Sequence, residues 1–105
     1  AMEEKITLFG KDWVIKKSMT AFLLYEELTG KPISQITNSL SDTLTIFYCI
    51  LKAKNKDFNY SFDEFIELLD DEIDALTQFN ELMEKESNKL KGVVSSKKKK
   101  VRIQR

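Results

Sequence analysis

The stretch LTIFYCIL, residues 44–51, constrains the fold of this chain more than any other feature. It follows two serines, Ser39 and Ser41, that are both plausible N-caps, and no charged side chain interrupts it before Lys52. Its apolar side chains fall on most faces of an α-helix, and such a helix must be covered by other elements on most sides. The sequence therefore predicts a central helix around which the rest of the chain packs.

The first residues of the chain predict a β-hairpin. Residues 6–9 and 13–15 are two short runs rich in β-branched and aromatic residues, and residues 10–12 between them begin with glycine. Two such runs joined by a short glycine-containing turn are typical of antiparallel strands.

An amphipathic helix is expected between the hairpin and the central helix. Ser18 is a suitable N-cap, and Gly30 favours an end at Thr29. The apolar residues of this helix recur at helical spacing; they are Met19, Phe22, Leu23, Tyr25 and Leu28. A connector over residues 31–39 then leads to the central helix. Its two apolar residues, Ile33 and Ile36, are expected to be buried.

A capping box marks the start of the helices in the second half of the chain. In SFDE, residues 61–64, the serine hydroxyl can accept from the glutamate amide while the glutamate carboxylate accepts from the serine amide. The apolar series then continues to Met83 without glycine or proline. We expect a break at the two aspartates 70–71, with the second capping a new helix, because aspartate is a poor helix-interior residue and a good cap. A single helix to about Leu90 also fits the spacing.

Length and charge together predict one small domain and a separate tail. A chain of 105 residues has the size of one domain. Residues 1–94 hold seventeen acidic and eleven basic side chains, a net charge of −6, whereas residues 95–105 hold six basic and no acidic ones. We predict an α+β domain over residues 1–94, mostly helical, with the short N-terminal hairpin packed on three or four helices. Residues 95–105 are expected to be a flexible basic tail.

The side chains offer little for catalysis. Histidine, the most common general base and imidazole metal ligand, is absent from the sequence. Cys49 lies in the apolar run and is expected to be a buried thiol without a base to activate it. The acids within residues 67–74 lack the spacing and the glycine of a calcium loop, so we expect a solvated helix surface there. No enzyme activity, cofactor or metal is expected, and a metal-dependent hydrolase is the weakest alternative.

Nothing in the sequence resembles a signal peptide or a membrane span. The longest unbroken apolar run, residues 46–51, is far shorter than the roughly 20 residues that cross a bilayer. A single cysteine cannot form an intramolecular disulfide. We therefore expect a cytoplasmic protein that does not contact membranes.

The basic tail is the most prominent charge signal. Its basic residues are Lys97, Lys98, Lys99, Lys100, Arg102 and Arg105. Such runs bind nucleic acid, anionic lipid or acidic proteins weakly. Nucleic acid is disfavoured because the rest of the chain is acidic and no aromatic residue is interleaved with the tail. A purely solvating tail, and a small regulatory or nucleic-acid-associated domain acting through it, both stay open. Four consecutive lysines also imply an adenine-rich stretch on which a ribosome can slip.

Three phrases, taken in order, resemble the small tail assembly chaperones of long-tailed phages and prophages. They are AFLLYEELTGKPISQI at residues 21–36, SLSDTLTIFYCILKA at 39–53 and SFDEFIELLDD at 61–71. The family layout is similar: a short β element, a helix ending in an aromatic-Glu-Glu-Leu-Thr-Gly phrase, a mostly apolar helix, and a Ser- or Thr-capped helix. The resemblance covers about residues 6–85.

This resemblance implies a non-enzymatic chaperone in the cytoplasm of a bacterial host. Such chaperones bind the long, helical tape measure protein and keep it soluble while the tail tube protein assembles around it. In many members a longer form arises by frameshifting near the end of the first reading frame, which is where the four lysines of residues 97–100 lie.

The last helix carries the candidate partner-binding residues. Four apolar side chains lie there beside acids: Leu76, Phe79, Leu82 and Met83. If they are exposed in the monomer, they predict a client groove or a homo-oligomer. The alternative is that they close the domain core.

Overall fold

The computed structural model describes residues 4–84, which form a β-hairpin followed by four α-helices. This architecture confirms the predicted α+β class, with its N-terminal hairpin and three or four helices. Predictions for other residues, such as a helix end near Leu90 and the tail over 95–105, lie outside the described residues. Within residues 4–84, every helix is too short or too polar to traverse a bilayer.

The hairpin consists of β1 (Glu4–Leu8) and β2 (Lys11–Ile15), which pair antiparallel. Alternate residues of each strand point to the same face of a sheet. The core-facing residues are Ile6, Leu8, Trp13 and Ile15, all of them buried. The indole Nε1 of Trp13 donates to the Leu8 carbonyl oxygen at 2.7 Å, so the one polar group of this side chain is satisfied inside the core.

The hairpin turn is two residues long, and the predicted three-residue turn at residues 10–12 was wrong. Phe9 and Gly10 have φ values of 56° and 75°, both positive, as in a type I′ turn. This geometry lets Leu8 pair directly with Lys11. A positive φ is uncommon for an aromatic residue, but the Phe9 ring gains an edge contact with Tyr60 at 5.1 Å between centroids. Only the tertiary fold supplies that contact.

The first helix, α1 (Met19–Thr29), has the predicted bounds. The Ser18 side chain accepts from the Ala21 amide, and Gly30 ends the helix with a φ of 73°. The buried side chains of α1 are Ala21 and Tyr25. Three of the apolar residues that suggested its inner face are instead exposed: Met19, Leu23 and Leu28.

The second helix, α2 (Leu40–Lys54), is the central helix that the apolar run predicted. Ser39, and not Ser41, is its N-cap, because the Ser39 hydroxyl accepts from the Asp42 amide. A short 3₁₀ turn, Ile33–Gln35, lies in the connector before it. The buried residues of α2 are Asp42, Thr45, Phe47, Tyr48, Cys49, Ile50 and Leu51. α2 contacts α1, β2 and the next helix, so it is covered on several sides.

The last two helices are separate, as predicted. α3 (Phe62–Leu69) begins at Ser61 with the complete capping box, and a turn at Asp70 and Asp71 follows it. The chain is helical again over residues 73–84, the described part of α4. Glu72 therefore stands directly before α4, and the expectation that Asp71 would cap it was wrong by one position. The Glu72 carboxylate accepts from the Phe9 amide at 2.9 Å, which ties this turn to the hairpin.

Candidate functional site

The four predicted partner-binding residues do not form an exposed stripe. Phe79 is 1% exposed and stacks on Phe47, with ring centroids 4.3 Å apart and planes 14° apart. Leu76, Leu82 and Met83 are half-buried and pack against the core. The structure therefore favours the alternative in which these residues close the core, because α4 covers an apolar face of α2.

An apolar groove, called here the connector groove, lies where α1, the connector, α2 and α4 meet. Its volume is about 400 Å³. The apolar residues that line it are Phe22, Ile33, Ile36, Ile46, Ile50, Phe79 and Met83. Two of the four predicted residues, Phe79 and Met83, are thus part of its wall. Ile33 and Ile36 are half-buried, not fully buried as expected, because they also line this groove.

Asp42 fastens the connector to the helices. Its Oδ2 atom accepts from Thr37 N at 2.7 Å, Thr37 Oγ1 at 2.8 Å and Lys31 Nζ at 2.9 Å, and its Oδ1 atom accepts from Tyr25 Oη at 3.1 Å. These hydrogen bonds, that of Lys31 foremost, hold the pKa of the Asp42 carboxyl well below its usual range. Asp42 is therefore an ionised structural group at neutral pH, and it is a poor proton donor or acceptor for chemistry there.

Lys31 and Tyr25, in contrast, keep their protons, so both can donate to the ionised carboxylate. The hydrogen bond to Asp42 raises the pKa of the Lys31 ammonium, and burial raises the pKa of the Tyr25 phenol. Sequence patterns did not single out Asp42, since an acid near a helix N-terminus is ordinary helix composition. Its partners lie up to 17 residues away, and only the fold brings them together.

A second apolar groove, called here the α3–α4 groove, lies between α3, α4 and the start of α2. Its volume is about 300 Å³. It is lined by Leu40, Leu44, Ile66, Leu69, Ile73 and Leu76, and Asp70 is the charged residue among them. Leu40 is 64% exposed and Ile73 is 65% exposed. Large apolar side chains open to solvent beside an apolar groove are typical of an interaction surface.

Leu40 and Ile73 were not among the predicted site residues, although the sequence carries a signal for them. Leu40 is the first residue of α2, and Ile73 is the first residue of α4. Serine, aspartate and glutamate are common near helix starts because their oxygens accept hydrogen bonds from the free amides there. Proline is common because it has no amide N–H that would be left unpaired. A large apolar residue at this position is thus a weak indication of a contact outside the helix.

The groups with chemical reactivity are tied up in the core or spread over the surface. Cys49 is buried, as predicted, and burial raises the pKa of its thiol to about 12. Within residues 4–84, no group of three or more histidine, cysteine, aspartate or glutamate residues is placed to hold a metal ion. Among the described residues, the features that suit a binding partner are the two apolar grooves.

Asn55 occupies the outer edge of β2. Its Oδ1 atom accepts from Val14 N at 2.9 Å, and its Nδ2 atom donates to Val14 O at 3.0 Å and to Leu51 O at 2.9 Å. A partner strand would need the same Val14 groups for pairing. Strand addition at this edge is therefore disfavoured.

The basic residues of the tail lie outside the described residues, so their part in binding stays a prediction. The chain matches no protein-family model, no curated protein and no solved structure.

Proposed function

We propose that this protein is a non-enzymatic tail assembly chaperone of a phage or prophage that binds the tape measure protein during tail assembly. The observation that carries the proposal is the α3–α4 groove, where Leu40 and Ile73 leave apolar surface open to solvent beside an apolar cavity. A helical client offers an apolar face that such a groove can accept. The resemblance of residues 6–85 to tail assembly chaperones supplies the identity of the client.

The surface around the groove fits a chaperone that must itself stay soluble. Residues 62–84 carry nine acidic and no basic side chains. The like charges of two such segments repel one another, which disfavours a self-association in which the grooves of two molecules face each other. The same segment can therefore present apolar surface to a client without precipitating.

A non-catalytic role is inferred from the state of the candidate reactive groups. The Cys49 thiol is buried with a raised pKa, and the Asp42 carboxylate already accepts four hydrogen bonds. General acid–base catalysis requires a group whose pKa lies near the working pH and which can reach a substrate. Neither group meets these conditions.

Co-expression with the tape measure protein of the same phage or prophage tests the proposal. We expect the full-length chain to keep soluble a client that precipitates alone, and the two proteins to purify together. The double variant Leu40→Gln/Ile73→Gln should lose this effect. The matched control is Leu23→Gln, which removes a leucine of similar exposure, 63%, from the outer face of α1. Equal loss in the control, or a client that is equally soluble without the chain, would refute the proposal.

The genomic DNA across codons 90–105 provides an independent test. A slippery adenine-rich heptamer that opens into a long minus-one frame, ahead of a gene for a very long helical protein, would support the tail assembly proposal. Interrupted lysine codons without an extended frame would speak against a frameshifted form. Binding of the tail to nucleic acid, with a steep loss in salt, would then be the next measurement.

A further inference from the structure

The α3–α4 groove is apolar inside and acidic around its rim. Asp70 lines the groove, and the exposed acids Glu67, Asp71 and Asp74 lie within four residues of it in sequence. The segments that contribute lining residues, 32–51 and 57–84, contain no lysine or arginine. The segments that line the groove therefore bring acidic side chains to its rim and no basic ones.

The groove is too small for a whole helix but suits the side chains of one helix face. One turn of α-helix with its side chains occupies roughly 400–600 Å³, from a diameter of 10–12 Å and a pitch of 5.4 Å. The groove volume is about 300 Å³. Leu40 and Leu44 are four residues apart on α2 and form a ridge beside which the ridge of an incoming helix can pack.

We propose that the α3–α4 groove binds an amphipathic helix whose apolar face is flanked by lysine or arginine. The apolar face would insert its side chains between Leu40 and Ile73, and the flanking cations would lie against the acids around Asp70. Charge complementarity selects this occupant, because the acidic rim repels a helix with acidic flanks. This inference rests on the proposed function and deepens it, since it states which kind of client helix the chaperone holds.

Two synthetic peptides test the inference with the full-length chain. Both are amphipathic helices of about 18 residues, long enough to form a helix in isolation, and both have the same leucine face. One has lysine flanks and the other has glutamate flanks. We expect the lysine peptide to bind at least about eightfold more tightly at low salt, since three exposed ion pairs contribute about twofold each. The ratio should approach one in 1 M salt, where charges are screened beyond about 3 Å.

Variants of the chain separate the apolar and the charged parts of the site. Leu40→Gln and Ile73→Gln should each weaken both peptides about tenfold, because each removes one apolar contact. Asp70→Asn combined with Asp74→Asn should lower the preference for the lysine peptide about fourfold, while the glutamate peptide binds no less tightly. The matched controls, Leu23→Gln and Glu27→Gln on the outer face of α1, should change neither affinity.

Several results would overturn the inference. These are equal affinities for the two peptides at low salt, no binding of either peptide, or unchanged binding by Leu40→Gln and Ile73→Gln. Two other occupants would also overturn it. In one variant, glutamine replaces the four lysines of residues 97–100. If this variant binds the lysine peptide at least tenfold more tightly than the parent chain does, the chain's own tail fills the groove. A dimer that Leu40→Gln dissociates in sedimentation would show that a second copy fills it.

The inference and the proposed function can fail separately. A chain that keeps the tape measure protein soluble but does not distinguish the two peptides would overturn the inference alone. A chain that selects the lysine peptide through Leu40 and Ile73 but neither binds nor protects the tape measure protein would overturn the proposed function alone.

Discussion

Replacing Phe79 with alanine tests whether α4 belongs to the core or is a detachable binding element. The Phe79 ring is 1% exposed and stacks on Phe47. Truncating a buried phenylalanine to alanine costs about 3–5 kcal/mol of unfolding free energy. Phe79 borders the connector groove, so its neighbours have room to relax, and we expect a loss at the lower end, about 3 kcal/mol. Since small domains are stable by about 5–15 kcal/mol, the variant should stay folded with a much reduced margin.

Urea unfolding, followed by circular dichroism and the fluorescence of Trp13, measures this loss. With a slope of about 1–3 kcal/mol per molar urea, the midpoint should fall by about 1–3 M. Phe79→Leu keeps the apolar contact but loses the ring pair, so it should cost only about 0.5–1.5 kcal/mol. Ile73→Gln, an exposed change on the same helix, should stay within about 0.5 kcal/mol of the parent chain. A Phe79→Ala loss below about 1 kcal/mol with an unchanged slope would refute the packing of α4 on α2.

Three further predictions concern groups that the fold brings together. Asn55→Ala should destabilise the chain by about 1.5–4.5 kcal/mol, because three hydrogen bonds of about 0.5–1.5 kcal/mol each are lost and Val14 is left without the Asn55 side chain; a urea-measured loss under about 0.5 kcal/mol would contradict this. The folded-state pKa of Asp42 is lowered, so its stabilisation is present above about pH 5 and is lost as the pH falls further. Asp42→Asn should therefore be less stable at pH 7 and should show a shallower decline of stability between pH 5 and 2, and an unchanged slope would contradict the assignment. The Cys49 thiol, with a pKa of about 12, should react with a disulfide reagent at pH 8 only as fast as the chain unfolds; rapid labelling without urea would show that it is accessible.

The bounds of the helices were predictable because their stop and start signals are local. The Ser18 cap, the left-handed Gly30 and the capping box at Ser61 each use hydrogen bonds between residues at most four positions apart. Such bonds form wherever the helix forms, so the sequence pattern is sufficient to place them. The break at residues 70–71 belongs to the same class, since aspartate disfavours the helix interior whatever surrounds it.

The burial of individual side chains was less predictable because it depends on which elements meet. The apolar spacing of α1 suggested Met19 and Leu23 as inner residues, yet the buried side is centred on Ala21 and Tyr25. Alanine is a weak apolar signal, and Tyr25 was one of five apolar residues at helical spacing, so the spacing did not single out either residue. They become inner residues here because Tyr25 donates to Asp42 of α2 within the core, a partner that α1 alone does not specify.

The candidate site was only partly predictable for the same reason. Leu76, Phe79 and Met83 do line the two grooves, but Phe79 does so as a core residue. Leu40 and Ile73 form the exposed rim of the α3–α4 groove although they are 33 residues apart in sequence. A groove is formed by several elements together, and no single helical pattern contains it.

Both grooves arise from the way in which the central helix is covered. The apolar faces of α2 need cover on most sides, and a single long helix over residues 62–84 would lie along one of them. The turn at residues 70–71 instead divides this cover into two short helices, and the connector adds further apolar side chains through its isoleucines. The two grooves lie between these covering elements and α2, and α2 contributes apolar residues to the lining of both. Filling a groove of this kind with an apolar segment of another molecule removes the apolar surface of both from water, which is the favourable step in such binding.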